Sequence, residues 1–391
     1  MAPNKFAWPL INDSITRSDK KALVEFINTP NVRFTNGEKV KKFEKEWSKW
    51  LGVKHTVFVN SGASANYIMA SILKEKHGVG EVIVPPIGWV SDIAPFVNLG
   101  FKPVFVDVDL ANLAMTAQNI RSAITKDTVG IVLVHALGFN GLCEDIINTA
   151  RTNKIALLED CCESHGALYN NQRVGNTGLM SNFSFYFGHH ITTIEGGVVC
   201  TNDDEIYDLI KLYRSHGMTR EASQGLQKKY REKYPHLNPL FTFAVPGYNM
   251  RNTEFNAVLG LEQMKRLDYN IDARKSNLAL WLSSLDSKKY FVDYNSLGNS
   301  NFALPLILKN KDSGLLKRVE TLLEAETVEY RIGTAGGGNQ AKQPYLEKYE
   351  YRIEGSLENT NHIHNFGLYV GNHPELSSEQ IINLCEKLND C

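Results

Sequence analysis

Apolar and polar positions recur along this chain in two periods, and the period switches repeatedly. Val40, Phe43, Trp47 and Leu51 share one helical stripe and predict a helix over 38–51. A shorter helix is predicted over 18–29, capped near Ser18, with the turn 33–37 between the two. From residue 56 onward, short apolar runs at 56–59, 81–84, 103–106, 130–135 and 155–159 alternate with amphipathic stretches at 63–74, 89–99, 116–124 and 144–152. Strands that alternate with helices pair in parallel through right-handed crossovers. The chain therefore predicts an α/β fold whose mostly parallel sheet is covered on both faces. In such sheets ligands sit beyond the carboxyl ends of the strands, and the small and polar motifs of this chain fall there.

Residues 182–199 read NFSFYFGHHITTIEGGVV. Phe183, Phe185 and Phe187 predict one face of a strand, with Ser184 and Tyr186 on the other. Gly188 then turns the chain into His189 and His190, and Glu195-Gly196-Gly197 leads to a second apolar strand at 198–201. Adjacent histidines in a turn are as a rule surface or structural groups. Held between two strands, they predict one wall of an active site.

A helix over 203–213 ends at Arg214-Ser215-His216-Gly217, and the charged, non-periodic stretch 219–240 predicts an excursion over the surface. Gly247-Tyr248-Asn249-Met250-Arg251 precedes another helix. Beyond about residue 265 the pattern changes to a smaller α+β unit, with strands at 302–308 and 327–330 around a helix at 313–325. Two domains follow from this, 1–265 and 266–391. Arg331 opens a loop, 331–339, whose Ala335-Gly336-Gly337-Gly338 lacks the spacing of a phosphate-binding P-loop and predicts a lid or substrate loop.

Composition narrows the function classes. Net charge is -1, with 43% hydrophobic and 22% charged residues, the balance of a soluble globular protein. No basic excess supports a nucleic-acid or anionic-membrane partner. The N-terminal residues lack the apolar core of a signal peptide, and no apolar run reaches membrane-spanning length. Six cysteines at 143, 161, 162, 200, 385 and 391 show no disulfide, metal or iron–sulfur spacing. A reduced, cytoplasmic, metal-free protein is the expectation.

Three strand ends carry candidate chemistry. Asn60-Ser61-Gly62-Ala63-Ser64 joins a strand to a helix, where small residues let N–H groups approach an anion. Trp89 follows the second strand and could stack on a planar ligand or pack in the core. Asp160 ends a buried apolar strand, where a carboxylate is costly unless it meets a cation.

Together these residues resemble the DegT family of pyridoxal-phosphate-dependent sugar aminotransferases, of aspartate aminotransferase fold type I. The family's lysine loop, Ser-Phe-x-x-x-Lys-x-x-x-x-x-Glu-Gly-Gly, matches at Ser184, Phe185, Glu195, Gly196 and Gly197, but His189 stands where the family keeps the lysine that carries the cofactor. A dehydratase branch of the family makes that replacement. The resemblance implies that Gly62, Ala63 and Ser64 surround the cofactor phosphate, that Ser184 also binds the cofactor, and that Trp89 lies on its ring. It implies further that Asp160 faces the pyridine nitrogen, that Glu163 lies near the ring hydroxyl, and that Asn249 reaches the cofactor phosphate of a second chain. His216 and Arg251 are the implied substrate residues, and Arg331, where the glycine-rich loop opens, is a candidate substrate clamp for a carboxylate. His189 is the implied catalytic base and acid, with His190 a weaker second candidate for the base.

The resemblance implies a pyridoxal/pyridoxamine 5′-phosphate-dependent 3-dehydratase that acts on a nucleotide-linked 4-keto-6-deoxy sugar, with GDP as the carrier. It would use L-glutamate, release ammonia and work as a homodimer in deoxysugar and O-antigen synthesis. Two other readings fit the same residues: an aminotransferase that has lost its lysine, and a silent pseudoenzyme that still binds nucleotide sugar or cofactor.

Overall fold

The computed structural model describes residues 6–334 and 336–391, so the N-terminal MAPNK and Ala335 of the glycine-rich loop lie outside it. The strands in chain order are β1 (His55–Val59), β2 (Glu81–Val84), β3 (Lys102–Val106), β4 (Thr128–Val134), β5 (Ala156–Asp160), β6 (Leu168–Tyr169), β7 (Gln172–Arg173), β8 (Met180–Ser184), β9 (Gly197–Thr201), β10 (Ala303–Ile307), β11 (Tyr330–Ile332), β12 (Arg352–Glu354) and β13 (Gly367–Gly371). Eight of them form one sheet in the order β1-β9-β8-β5-β4-β2-β3-β12. Every pairing in it is parallel except those of β9, which runs antiparallel to β1 and β8. β2, β5, β8 and β9 are buried along their whole length; β2, β5 and β9 read as largely apolar runs, whereas β8, MSNFS, buries polar side chains as well.

The helix Glu38–Leu51 occupies its predicted span and buries Val40, Phe43, Trp47 and Leu51. The first helix is Arg17–Ile27, capped by Thr16 with Asp19 closing a capping box, rather than by Ser18. The helix predicted over 89–99 is instead a 3-10 turn, Val90–Asp92, followed by a short helix, Ala94–Asn98. Asp92 bends back to accept the Trp89 N–H, and Pro95 lacks the N–H that a continuous helix would need there. β8 ends at Ser184, so Phe185 is buried in the turn beyond it while Phe187 is only half-buried.

The stretch 219–240 crosses the surface as expected, but it contains a helix, Gln224–Lys233, that buries no residue and so leaves no apolar period to read. The smaller sheet is antiparallel, in the order β10-β13-β11. Its β11 begins about three residues later than predicted, because Val328 pairs with Trp8 of the N-terminal segment. The helix Leu267–Ser284 had no sequence signal, for its buried face carries Asn270, Arg274 and Asn277 beside Leu267, Ile271, Leu278 and Trp281. Those polar groups brace the junction with the smaller sheet: Asn270 donates to the His190 carbonyl, and Arg274 to the carbonyls of Phe302 and Asn372. None of the described helices is long and apolar enough to cross a membrane.

Candidate functional site

The site forms at the carboxyl ends of β1, β2, β5 and β8, and glycines set how closely its parts approach. Gly62 opens the helix Gly62–His77, whose N-cap Ser61 accepts the Ser64 N–H at 3.0 Å. A Cβ on Gly62 would lie 2.8 Å from Ser184 Cβ and 3.1 Å from Cys162 Sγ. A Cβ on Gly197 would lie 2.6 Å from the Ser61 carbonyl and 2.7 Å from the Gly62 nitrogen. The helix N-terminus, with Gly62 and Ala63 in its first turn, is thus pressed against Ser184. Its free N–H groups, its macrodipole and that hydroxyl make an anion cradle.

Asp160 forms the floor. Its Oδ2 accepts from Asn66 Nδ2 at 2.7 Å and Asn182 Nδ2 at 3.1 Å, and its Oδ1 accepts the Cys162 N–H at 3.0 Å. None of these donors supplies a positive charge. Glu163 is held by the Leu137 N–H at 2.7 Å. Burial pushes its pKa up to about 7, with the charge of Asp160 adding and the Leu137 N–H opposing.

His189 follows β8 through the turn at Gly188. Its ring packs 5.3 Å from Phe302, 5.9 Å from His165 and 6.3 Å from Tyr186. Burial pushes its pKa down to about 4, although Asp160 pulls the other way, so the imidazole is neutral at physiological pH. Its Nδ1 is buried without a partner. His190 is committed elsewhere. Its Nε2 lies 3.1 Å from both the carbonyl and the hydroxyl of Ser300, and its own carbonyl is taken by Asn270.

Trp89 is 59% exposed at the mouth. The glycine-rich loop abuts it, since a Cβ on Gly336 would meet Gly88 O at 2.2 Å and Trp89 Cα at 2.9 Å, and Gln340 donates to the carbonyl of Gly88 at 3.1 Å. Arg251 bridges to Val59 at the end of β1, with Nη1 buried and unpartnered. His216 and Asn249 are exposed on adjoining strands of loop, tied by the His216 N–H to Tyr248 O bond and the Ser215–Asn249 bridge. Arg331 is exposed on β11 and pairs with Glu329 at 3.2 Å. Within the described residues, no hydrogen bond or ring contact joins His216, Asn249 or Arg331 to the Asp160–His189 cluster.

Asn66, Asp92, Asn182, Cys162 and His165 also belong to this cluster, and the sequence reading passed over them. A signal existed for the first two: Asn66 and Asp92 interrupt apolar stretches of sequence, whereas Asn182 lies among the polar residues of β8 and stands out only through its burial. Buried polar groups need partners, so such positions tend to surround a site.

Residues 14–389 match the DegT/DnrJ/EryC1/StrS aminotransferase family. The chain belongs to that family. It is 35% identical over 387 residues, 96% of this chain and 97% of the relative, to a GDP-4-keto-6-deoxy-D-mannose 3-dehydratase of Yersinia pseudotuberculosis. It also superposes on an E. coli GDP-4-keto-6-deoxy-D-mannose-3-dehydratase with bound hydrated PLP, with a TM-score of 0.90 and 31% identity over 98% of this chain and 99% of that one. A further GDP-4-keto-6-deoxymannose-3-dehydratase structure, with a trapped PLP-glutamate geminal diamine, matches with a TM-score of 0.90 and 30% identity, covering 97% of this chain and 100% of that one. The family membership, the α/β architecture and the fold type I topology expected from the lysine-loop resemblance are borne out.

The residues fit a pyridoxal-type cofactor. Among the described residues the cradle at Gly62 suits a phosphate, Asp160 is a buried carboxylate without a cation, Trp89 offers an exposed ring face, and His189 carries an orphaned buried nitrogen.

Proposed function

We propose that this chain is a 3-dehydratase that uses pyridoxal and pyridoxamine 5′-phosphate on a GDP-linked 4-keto-6-deoxy sugar. It yields a 3-deoxy-4-keto sugar and releases ammonia, with L-glutamate restoring the aminated cofactor. The observation that carries the reading is the neutral, half-buried imidazole of His189 beside Asp160, at the family's lysine position. When bound, the cofactor supplies an electron sink and an amine for the keto sugar.

The side chains supply the rest. Gly62, Ala63 and Ser184 hold the phosphate through N–H and hydroxyl donors. With the cofactor bound, Asp160 would face the pyridine nitrogen and favour its protonated form, Trp89 would cover a ring face, and Glu163, half-protonated near neutrality, would lie near the ring hydroxyl. His189 cannot tether the cofactor as a lysine would. It would take a proton from the carbon bearing the amine and return one to the oxygen that leaves carbon 3, a division of labour open to an imidazole that is neutral at the start. Arg251, with its unpartnered Nη1, and the exposed His216 and Arg331 serve the sugar nucleotide and glutamate.

The active unit is a homodimer in which Asn249 completes the partner's phosphate site. The surface around Asn249 supports this, for Leu240, Phe241, Phe243 and Tyr248 are each 57% exposed there. Six free cysteines support a reducing, cytoplasmic setting. The test is mass spectrometry of the product from GDP-4-keto-6-deoxymannose with glutamate. A 3-deoxy sugar nucleotide with ammonia release is the expected result, and a product that keeps nitrogen on the sugar overturns the reading.

A further inference from the structure

Asp92 is 4% exposed and lies between the Trp89 turn and the floor of the site. Its Oδ2 accepts the Trp89 N–H at 2.8 Å, and a Cβ on Gly88 would fall 2.5 Å from that oxygen. The absence of a side chain at Gly88 is what admits the carboxyl. The other oxygen, Oδ1, lies 3.5 Å from Asn66 Nδ2, which also donates to Asp160 Oδ2 at 2.7 Å. One amide therefore touches both carboxyls and sets the two acids side by side in one buried cluster.

The titratable groups that face Asp92 are Asp160, Glu163, Cys162 and Tyr345, and none of the four is a cation. Two adjacent buried carboxylates without a cation cannot both remain ionised. Burial first, and the Asp160 charge second, raise Asp92 well above the carboxylate range, while Asp160 keeps three donors of its own.

We propose that Asp92 is a positioning residue: it stays a neutral carboxylic acid that donates its proton to Asp160 while capping the Trp89 turn. Because Oδ2 is held by Trp89, Oδ1 carries the proton. The donated bond stabilises the Asp160 anion and makes it a weaker base, so the proton it shares with a bound pyridine stays on the pyridine nitrogen. The cap ties the backbone of Trp89 to the same acid. Asp92 thereby links the residue that covers the ring to the one that faces its nitrogen. The proposal rests on the cofactor reading above and adds a residue to it.

Infrared spectroscopy of the cofactor-free chain tests the protonation. At about pH 9, where Glu163 is ionised, the spectrum should keep the carbonyl stretch of a buried neutral acid, and Asp92→Asn should remove it. A spectrum that this substitution leaves unchanged overturns the proposal, whatever becomes of the dehydratase reading. Equilibrium dialysis with pyridoxamine 5′-phosphate tests the positioning. Asp92→Ala should weaken binding about tenfold and move the pH profile of the bound cofactor's absorbance. Asp92→Asn, an isostere of the neutral acid, should restore both. An asparagine variant as weak as the alanine one means that a charged Asp92 is what matters, and this also overturns the proposal. A chain that passes both arms yet fails to dehydrate the sugar sinks the substrate assignment alone.

Discussion

Glu159 and Asp160 are neighbours at the end of β5, on opposite faces of the strand, and they show how one fold makes a closed cluster and an open one. Every lone pair of Glu159 is occupied. Its Oε2 is met by His135 Nε2 at 3.3 Å and the Gly175 N–H at 2.9 Å, and its Oε1 by the N–H groups of Thr177 and Gly178 at 3.0 and 2.6 Å. His135 Nδ1 accepts the Gly141 N–H at 3.0 Å, so its proton sits on Nε2 and points at Glu159. Burial alone would raise the pKa of Glu159, but His135 and the surrounding N–H groups outweigh it and hold the carboxyl below its ordinary value. His135, Glu159 and Cys161 lie close enough to resemble a metal site, yet the carboxylate's oxygens and His135's Nδ1 are already taken. Among the described residues Asp160 is satisfied by neutral amides and has no cation, beside a histidine whose Nδ1 has no partner. A group with no room left is structural, whereas one short of a counter-charge awaits a ligand.

The two histidines repeat the contrast. His190 bonds Ser300 and locks the junction, while His189 is poised in the site. The widest separation should come from replacing each in turn. His189→Asn should cut turnover by roughly 10²–10⁴ with little loss of stability, the usual contribution of a positioned acid–base group. His190→Asn should mainly lower stability, by about 1–3 kcal/mol, the cost of orphaning a buried partner. Steady-state kinetics and urea denaturation on both variants would erase the contrast if the two effects were exchanged.

The carboxylates come next. Glu159→Gln should destabilise the fold by roughly 3 kcal/mol, since the N–H groups and His135 lose their anion. Asp160→Asn should destabilise the cofactor-free chain less, by roughly 1–2 kcal/mol, since its amide opposes only one or two neutral donors, and should abolish most retention of pyridoxamine phosphate, read by equilibrium dialysis. Equal loss of stability in the two variants would break the comparison.

Gly62→Ala is a smaller, steric probe of the open side. The added methyl meets Ser184 Cβ at 2.8 Å and Cys162 Sγ at 3.1 Å, so cofactor affinity should fall by about tenfold. The same dialysis measurement checks it, and unaltered affinity would remove the phosphate cradle from the site.

The smallest effect is a pH dependence. Glu163 holds its proton more tightly in the folded chain, at about 7 against 4.5 unfolded. Its stabilising contribution is therefore fully present below 4.5 and is lost as pH rises through 7. Between about pH 6 and pH 8 the cofactor-free chain should lose at most about 1 kcal/mol, because the group is half-buried and partly screened. Glu163→Gln should flatten that slope in urea titrations.

Much of this was written into the linear chain. The alternation of apolar runs with amphipathic stretches gave the parallel sheet, and the lysine-loop pattern around Ser184, Glu195 and Gly197 gave the family. Small residues at Gly62 and an acid at the end of an apolar strand, Asp160, are visible because each violates its local period. Asn66 and Asp92 were harder, for a single polar residue in an apolar stretch looks like noise until its partner is known, and Asn182 stands out only through its burial. The helix Leu267–Ser284 hid for the same reason: Asn270, Arg274 and Asn277 occupy its buried face and cancel the apolar stripe.

The sequence by itself determined the strand–helix alternation, the family pattern and the substitution of histidine for lysine at 189, because each depends only on residue type and spacing. The tertiary structure alone decided which of two adjacent histidines stays available, and which of two adjacent carboxylates lacks a counter-charge. Those outcomes depend on Ser300, Asn66, Asn182 and the N–H groups of 175–178, which lie up to 110 residues from the groups they bind. Burial and partner supply are properties of folded space, and they set whether a titratable side chain is a fixture or a reagent.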